Sequence, residues 1–266
     1  MTNTPTTLLI DSFFDTDAQG NRHTLLELKR FRAKAQAQAH SLAISPNILI
    51  ELLRPKNSTT IELRFYQHGQ EIMNCGSGTL AAAHYCREVY ASLWPLMLHS
   101  AGGEFKVNQQ TPGLGLEIKN TFLYQTKKIK QAFWQYALAG HSRIQPVRTV
   151  QQVRGYTIVE YPSATDIAAL CPRFQLLANL QSHAIIATAA ANHEHRADYV
   201  LRYFAPRFGN PEDAATGSAN FILLPYWQRR LKKNKLCGLQ LSPLGGRFWG
   251  ECTRRSLSLF GQTRTL

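Results

Sequence analysis

Apolar and polar residues alternate over many short stretches of this chain, and few runs carry a helical period. In residues 59–67, Ile61, Leu63 and Phe65 fall on one face, the period-two signature of a half-buried strand. Similar strand-like runs cover 8–14, 47–53, 96–99, 104–108, 114–119, 156–161, 184–188, 198–204, 238–241, 247–253 and 257–261, divided by turns rich in Gly, Pro and Asn. Residues 26–42 are rich in Ala, Gln, Lys and Leu and read as a helix by intrinsic propensity, ended by Ser45-Pro46-Asn47. Residues 79–90 and 219–230 read as the other good helices, with a short one at 164–170. Many short strands around one good helix per half predict an α+β fold, not the βαβα alternation of a doubly wound sheet.

The same pattern occurs twice. Leu63-Arg64-Phe65-Tyr66 leads to Glu71 and then Cys75-Gly76-Ser77, and Leu201-Arg202-Tyr203-Phe204 leads to Glu212 and then Thr216-Gly217-Ser218. The glutamate stands four residues before the Cys or Thr in both copies. The arginine stands eleven residues before it in one and fourteen in the other, so the second copy carries a three-residue insertion. Each copy then enters a helix. Strand, turn, small-residue elbow and helix in matching order predict two similar domains, placed at 1–119 and 120–266, with the boundary at the start of a polar and basic stretch.

Composition narrows the function. The 266 residues are 44% hydrophobic, enough for ordinary cores. Five scattered cysteines without a C-x-x-C pair suggest neither a disulfide framework nor a zinc site. No apolar run approaches the ~20 residues of a membrane span, and the polar start lacks a signal-peptide pattern, so the expectation is a cytoplasmic protein with no membrane partner. A formal charge of +13 favours anionic partners. The charges are dispersed, however. The densest cluster, Arg229, Arg230, Lys232, Lys233 and Lys235, sits where a helix C-terminus attracts cations, and a second is Lys127-Lys128-Ile129-Lys130. A nucleic-acid partner therefore rests on charge alone and is not expected. Neither G-x-G-x-x-G nor G-x-x-x-x-G-K-[ST] occurs, so no dinucleotide or P-loop site is predicted.

The two elbows are the candidate chemistry. Glycine permits a tight turn, and the unpaired N–H groups of a helix's first turn form an anion site. Two such ends facing one cleft would hold a small carboxylate through Gly76, Ser77, Gly78 and Thr79 on one side and Thr216, Gly217, Ser218 and Ala219 on the other. Ser77 and Ser218 also read as plain helix N-caps. Asp213 has Ile72 as its counterpart in the first copy, so repetition does not account for it. It reads either as a cap or as a proton-transferring acid/base. Cys75 is a candidate nucleophile or base, because a helix N-terminus lowers a thiol pKa.

At these residues the chain resembles the PhzF-like family, the phenazine-biosynthesis isomerases related in fold to diaminopimelate epimerase. The run Phe204-Ala205-Pro206, then Gly209-Asn210-Pro211-Glu212-Asp213-Ala214-Ala215-Thr216-Gly217-Ser218-Ala219, follows the family's FAP…G-x-P-E-D-P-A-T-G-S-A, and Pro225-Tyr226-Trp227 continues it. Ile10-Asp11-Ser12-Phe13 with Gly20-Asn21 is similar to V-D-A-F…G-N-P, and Gly246-Arg247 to a late G-R. The resemblance implies two domains, each a curved sheet wrapped around a central helix, with the site in the cleft between them. It also implies a homodimer and proton-transfer chemistry without metal, flavin or nicotinamide. Asp213 and Ser218 match family active-site positions. The family's catalytic glutamate falls on Pro46 and its histidine on Ser77. The first elbow instead looks like the epimerase's C-G-N-G, where the cysteine is a base, and the epimerase's second cysteine falls on Thr216. Two expectations follow: an isomerase acting on a small carboxylate with Asp213 and Cys75 as catalytic groups, or a family member that has lost catalysis and binds a small anion or serves structurally.

Overall fold

The computed structural model describes residues 7–55, 60–91, 96–110, 113–121, 124–126, 131–140, 144–152, 155–180 and 183–266. The basic run 127–130 lies outside them. The chain forms an α+β arrangement with six α-helices and one mixed sheet of sixteen strands among the described residues.

In the first half, β1 (Thr7–Phe14), β2 (Asn21–Leu28), β3 (Ile48–Leu53) and β4 (Thr60–Gln67) lie side by side, with the short β5 (Gln70–Ile72) folded back on β4. Then follow β6 (Met97–Ser100), β7 (Gly103–Gln110) and β8 (Gly113–Lys119). The C-terminal strand β16 (Ser256–Thr265) pairs with β8 through residues 256–261 and with β1 through 262–265. The path β1-β2-β3-β4-β6-β7-β8-β16 therefore returns to its start. Helix α2 (Gly76–Val89) packs against β1, β2, β3, β8 and β16 of this ring and is buried from Gly76 to Cys86. Its Ala81-Ala82-Ala83 run suits a helix with protein on every side, where an amphipathic stripe has no use.

From β16 the sheet continues through β15 (Gly246–Cys252), β14 (Lys235–Gln240), β13 (Tyr199–Phe204), β12 (Ala184–Ala190), β11 (Tyr156–Glu160) and β10 (Arg148–Gln152) to β9 (Tyr124–Thr126). Inward side chains such as Ile158, Ile186, Tyr199, Leu201 and Phe248 meet helix α6 (Gly217–Leu231), which is buried almost throughout its first eleven residues. The outer face of β11 to β13 is covered by α3 (Gln131–Leu138), α4 (Ala164–Ala168) and α5 (Phe174–Leu180), through Trp134, Ile167 and Leu177.

One predicted element is corrected. The helix expected over 26–42 is a strand at its start: β2 runs to Leu28, and α1 occupies only Lys34–Ala43. Leu25 points into the ring while Leu26 packs under α1, so β2 is buried on both faces and shows no alternation. The three-residue insertion also has a place. The first copy turns tightly through His68 and Gly69 so that Ile72 pairs with Phe65. The second needs a 3-10 turn at Pro206–Phe208 before the Asp213 N–H reaches the Tyr203 carbonyl at 3.2 Å. Ile72 and Asp213 thus hang from equivalent strand positions.

Candidate active site

The N-termini of α2 and α6 abut. A Cβ built on Gly217 would lie 3.1 Å from the Gly76 Cα and carbonyl carbon, and one built on Gly76 would lie 3.1 Å from the Gly217 backbone. A larger residue at either position presses on the other helix's backbone, which must give by a few tenths of an ångström, so glycine suits the close approach of helix to helix. Beside the contact opens a cleft of about 750 Å³, bordered by Cys75, Gly76, Ser77, Asp213, Thr216, Gly217 and Ser218. Gly78, Thr79 and Ala219 do not border it. The Gly78 N–H is taken by the Cys75 sulfur (3.2 Å), and both the N–H and the hydroxyl of Thr79 donate back to the Cys75 carbonyl (2.8 Å each). Ala219 is fully buried.

The caps are not the serines. Cys75 and Thr216 occupy the two N-cap positions, which leaves Ser77 and Ser218 one residue inside each helix. Nor is Asp213 a cap. It stands three residues before Thr216, whose hydroxyl donates to Asp213 Oδ2 at 2.5 Å. Asn21 Nδ2 donates to Asp213 Oδ1 at 3.1 Å, and Asn210 Nδ2 reaches the same oxygen at 3.4 Å. Gln240, at the end of β14, fixes the elbow from behind: its amide nitrogen donates to the Asp213 carbonyl (2.6 Å) and its amide oxygen accepts from the Thr216 N–H (2.8 Å). The half-buried Asp213 carboxylate is thereby aimed from a rigid turn at the ends of both helices.

Asn21, His23 and Gln240 are site residues that sequence reasoning did not select. Asn21 ties the halves together, donating to the Ala215 carbonyl (2.8 Å) and Ser77 Oγ (3.3 Å) as well as to Asp213. Its Gly20-Asn21 dipeptide was legible only as part of a resemblance. Gly20 has φ +74°, and a Cβ there would collide with the Ser12 carbonyl at 2.2 Å. His23 lies fully buried with Nε2 3.2 Å from Ser77 Oγ, and burial drives its pKa down to about 4. A lone histidine inside a buried strand leaves no periodic trace.

Burial also reverses the expectation for Cys75. The thiol is pushed up to about 11 by desolvation, which outweighs its hydrogen bonds with Ser77 and the Gly78 N–H. Cys75 is a neutral thiol at physiological pH, not the thiolate that a helix N-terminus alone would give. The second-half wall carries Tyr156 and Tyr203, ring centroids 6.5 Å apart. Burial raises both phenol pKa values, against a hydrogen bond between Tyr156 and Ser218, so both remain proton donors. Glu71 and His183 complete the ionisable lining. Among the described residues no Lys or Arg borders the cleft, whose polar lining consists of backbone groups and the side chains of residues such as Asn74, Ser77, Tyr156, Tyr203 and Ser218 beside its acidic groups and His183. No group of three or more His, Cys, Asp or Glu among the described residues is placed to hold a metal ion.

Pro46, where the family's glutamate falls, is exposed and does not border the cleft. The nearby His40, an ionisable group on α1, does not border it either: its Nδ1 lies 2.7 Å from Arg32 Nη1, and burial followed by that guanidinium lowers its pKa.

This α+β fold is similar to the folds of solved PhzF-family and epimerase structures. The chain belongs to the PhzC-PhzF family, described as phenazine biosynthesis-like protein, whose model matches residues 10–242. It is 29% identical over 259 residues to an uncharacterized isomerase of Pseudomonas aeruginosa, covering 95% of this chain and 92% of the other. Its fold is similar to that of a PhzF-family phenazine biosynthesis protein from Enterococcus faecalis, with TM-score 0.83, 22% identity and coverage of 98% and 97%. It is also similar to a predicted epimerase from Pseudomonas aeruginosa, with TM-score 0.75, 17% identity and coverage of 99% and 97%. No helix among the described residues is long and apolar enough to cross a membrane.

Proposed function

We propose that this protein is a PhzF-type isomerase that moves a proton on a small carboxylate-bearing metabolite. The chain would work as two similar domains, 1–119 and 120–266, with β16 lent back to complete the first, and the substrate would sit between them. The observation that carries the reading is the convergence of two helix N-termini on a cleft into which Asp213 is aimed by Asn21 and Thr216. The N–H groups of the first helical turns, at Gly76, Ser77, Gly217 and Ser218, hold the substrate carboxylate, where the helix dipoles favour negative charge. The same N–H groups and dipole ends also stabilise the carbanion formed when a neighbouring C–H proton leaves, because the electron pair spreads toward the held carboxylate. Asp213 takes or returns that proton. Tyr156 and Tyr203 supply neutral donors to the substrate's other oxygens. The chemistry asks for no electron transfer and hence for no redox cofactor.

A second reading, a binder without catalysis, is favoured by one observation: the family's glutamate position is an exposed proline, and His40 is engaged with Arg32. Both readings require the carboxylate site. Its test is Gly217→Val. The new side chain presses on the Gly76 backbone and pushes the helix ends apart, costing about 1–3 kcal/mol of stability. In calorimetric titration, a small carboxylate that binds wild type should bind the folded variant at least tenfold more weakly. Equal affinity would place the anion elsewhere.

A further inference from the structure

Ser77 sits at the cleft with a histidine behind it, and the partners of both residues fix which way every proton points. His23 Nδ1 lies 3.3 Å from the Ile10 carbonyl, which can only accept, so Nδ1 carries the hydrogen and Nε2 is left with its lone pair. Ser77 Oγ, 3.2 Å away, therefore donates its hydroxyl hydrogen to Nε2. The oxygen's lone pairs take the Asn21 amide hydrogen (3.3 Å) and the Cys75 S–H (3.6 Å). All four groups are buried, and the two hydrogens of the Asn21 amide are shared among Ser77 Oγ, Asp213 Oδ1 and the Ala215 carbonyl. A serine hydroxyl held between two donors and bonded to a bare imidazole nitrogen is arranged to pass its proton inward. Asn21 also donates to Asp213, so one amide sets the spacing of Ser77 and the carboxylate across the cleft.

We propose that Ser77 and His23 form a hydroxyl–imidazole relay, which gives the cleft a second proton-transfer arm opposite Asp213. The inference rests on the proton-transfer reading above. In one direction the substrate C–H bond breaks and its proton goes to Ser77 Oγ. The serine's own O–H proton passes to His23 Nε2, and the electron pair stays on the substrate. Asp213, carrying a proton, then delivers it to the substrate at the second position. One proton leaves and one arrives; His23 ends protonated, Asp213 ends ionised, and exchange with solvent resets both. In the opposite direction the two arms exchange roles. Ser77 touches the substrate, whereas His23 acts through it and is a positioning residue and proton store. Its deep burial keeps the resting imidazole neutral at physiological pH, so the proton it takes up in a turnover is readily given back through Ser77.

The test combines a spectrum with a rate. In ¹⁵N-histidine NMR of the intact protein at pH 7, His23 should appear as the neutral Nδ1–H tautomer, and Ser77→Ala should shift its Nε2 resonance. Deuterium entry from D₂O into a panel of small carboxylates should then be about 10²-fold slower or worse in both His23→Gln and Ser77→Ala. Glutamine can still accept a hydrogen bond from Ser77 but cannot take up its proton. In His23→Gln, KM should stay within about twofold while kcat falls, because position 23 does not touch the substrate. An Nε2–H tautomer, or exchange by His23→Gln at the wild-type rate, overturns the relay and leaves Asp213-dependent proton transfer standing. Absence of exchange in wild type overturns both. If His23→Gln does not fold, the wild-type tautomer and the Ser77→Ala rate decide.

Discussion

Asp213→Asn should lower turnover of any carboxylate substrate by about 10²- to 10⁴-fold while the protein remains folded, the loss typical of a positioned acid/base. The substitution removes the exchangeable proton but little of the scaffold. An asparagine oxygen can still accept from Asn21, and its amide can donate to the Thr216 hydroxyl, which now points its own hydrogen elsewhere. Gln240 holds the elbow through the backbone of 213 and 216, not through the carboxylate. A purely structural aspartate makes the opposite forecast, a loss of about 1 kcal/mol with turnover nearly unchanged. Steady-state kinetics together with urea denaturation of the same preparation separate the two. Thr216 already occupies the N-cap, so a capping role is not open to Asp213.

Stability should fall in mild acid, and His23 should account for a large share of the fall. Its folded pKa of about 4 lies below the ordinary value of 6.5 because burial strips away the solvent that would stabilise the charged imidazole. The unfolded chain takes up a proton as pH drops through 6.5, whereas the folded chain does so only near 4. The contribution is thus fully present above about pH 6.5 and is lost progressively down to about pH 4, amounting to about 3 kcal/mol. Urea unfolding of wild type and His23→Gln at pH 7, 5.5 and 4 should show the wild type losing that much more stability than the variant. A difference between the two that stays constant over this range would contradict a buried neutral imidazole.

The second elbow was legible in the sequence because its chemistry is local: Asp213, Thr216, Gly217 and Ser218 lie within six residues and interact with one another. The repeat was legible for the same reason, and the family resemblance and the α+β class agree with the fold. What could not be read were terms set by distant parts of the chain. Gln240 reaches Thr216 from 24 residues away, and Asn21 reaches Asp213 across 192. β2 passed for the start of a helix because burial on both faces erased its alternation. The thiol of Cys75 was expected to be acidic from its place at a helix start, but desolvation within the ring, invisible in sequence, reverses the sign. The close contact of Gly217 with Gly76 likewise joins parts of the chain far apart in sequence.

The central claim is that the cleft between α2 and α6 moves a carbon-bound proton. The most direct measurement is mass spectrometry of small carboxylates incubated with wild-type protein in D₂O, alongside calorimetric binding of the same compounds. The account predicts at least one carboxylate that both binds and gains deuterium at carbon, at a rate that Asp213→Asn lowers by about 10²-fold or more. Carboxylates that bind in the cleft but gain no deuterium across the panel would contradict it and leave a binding protein built on an isomerase fold.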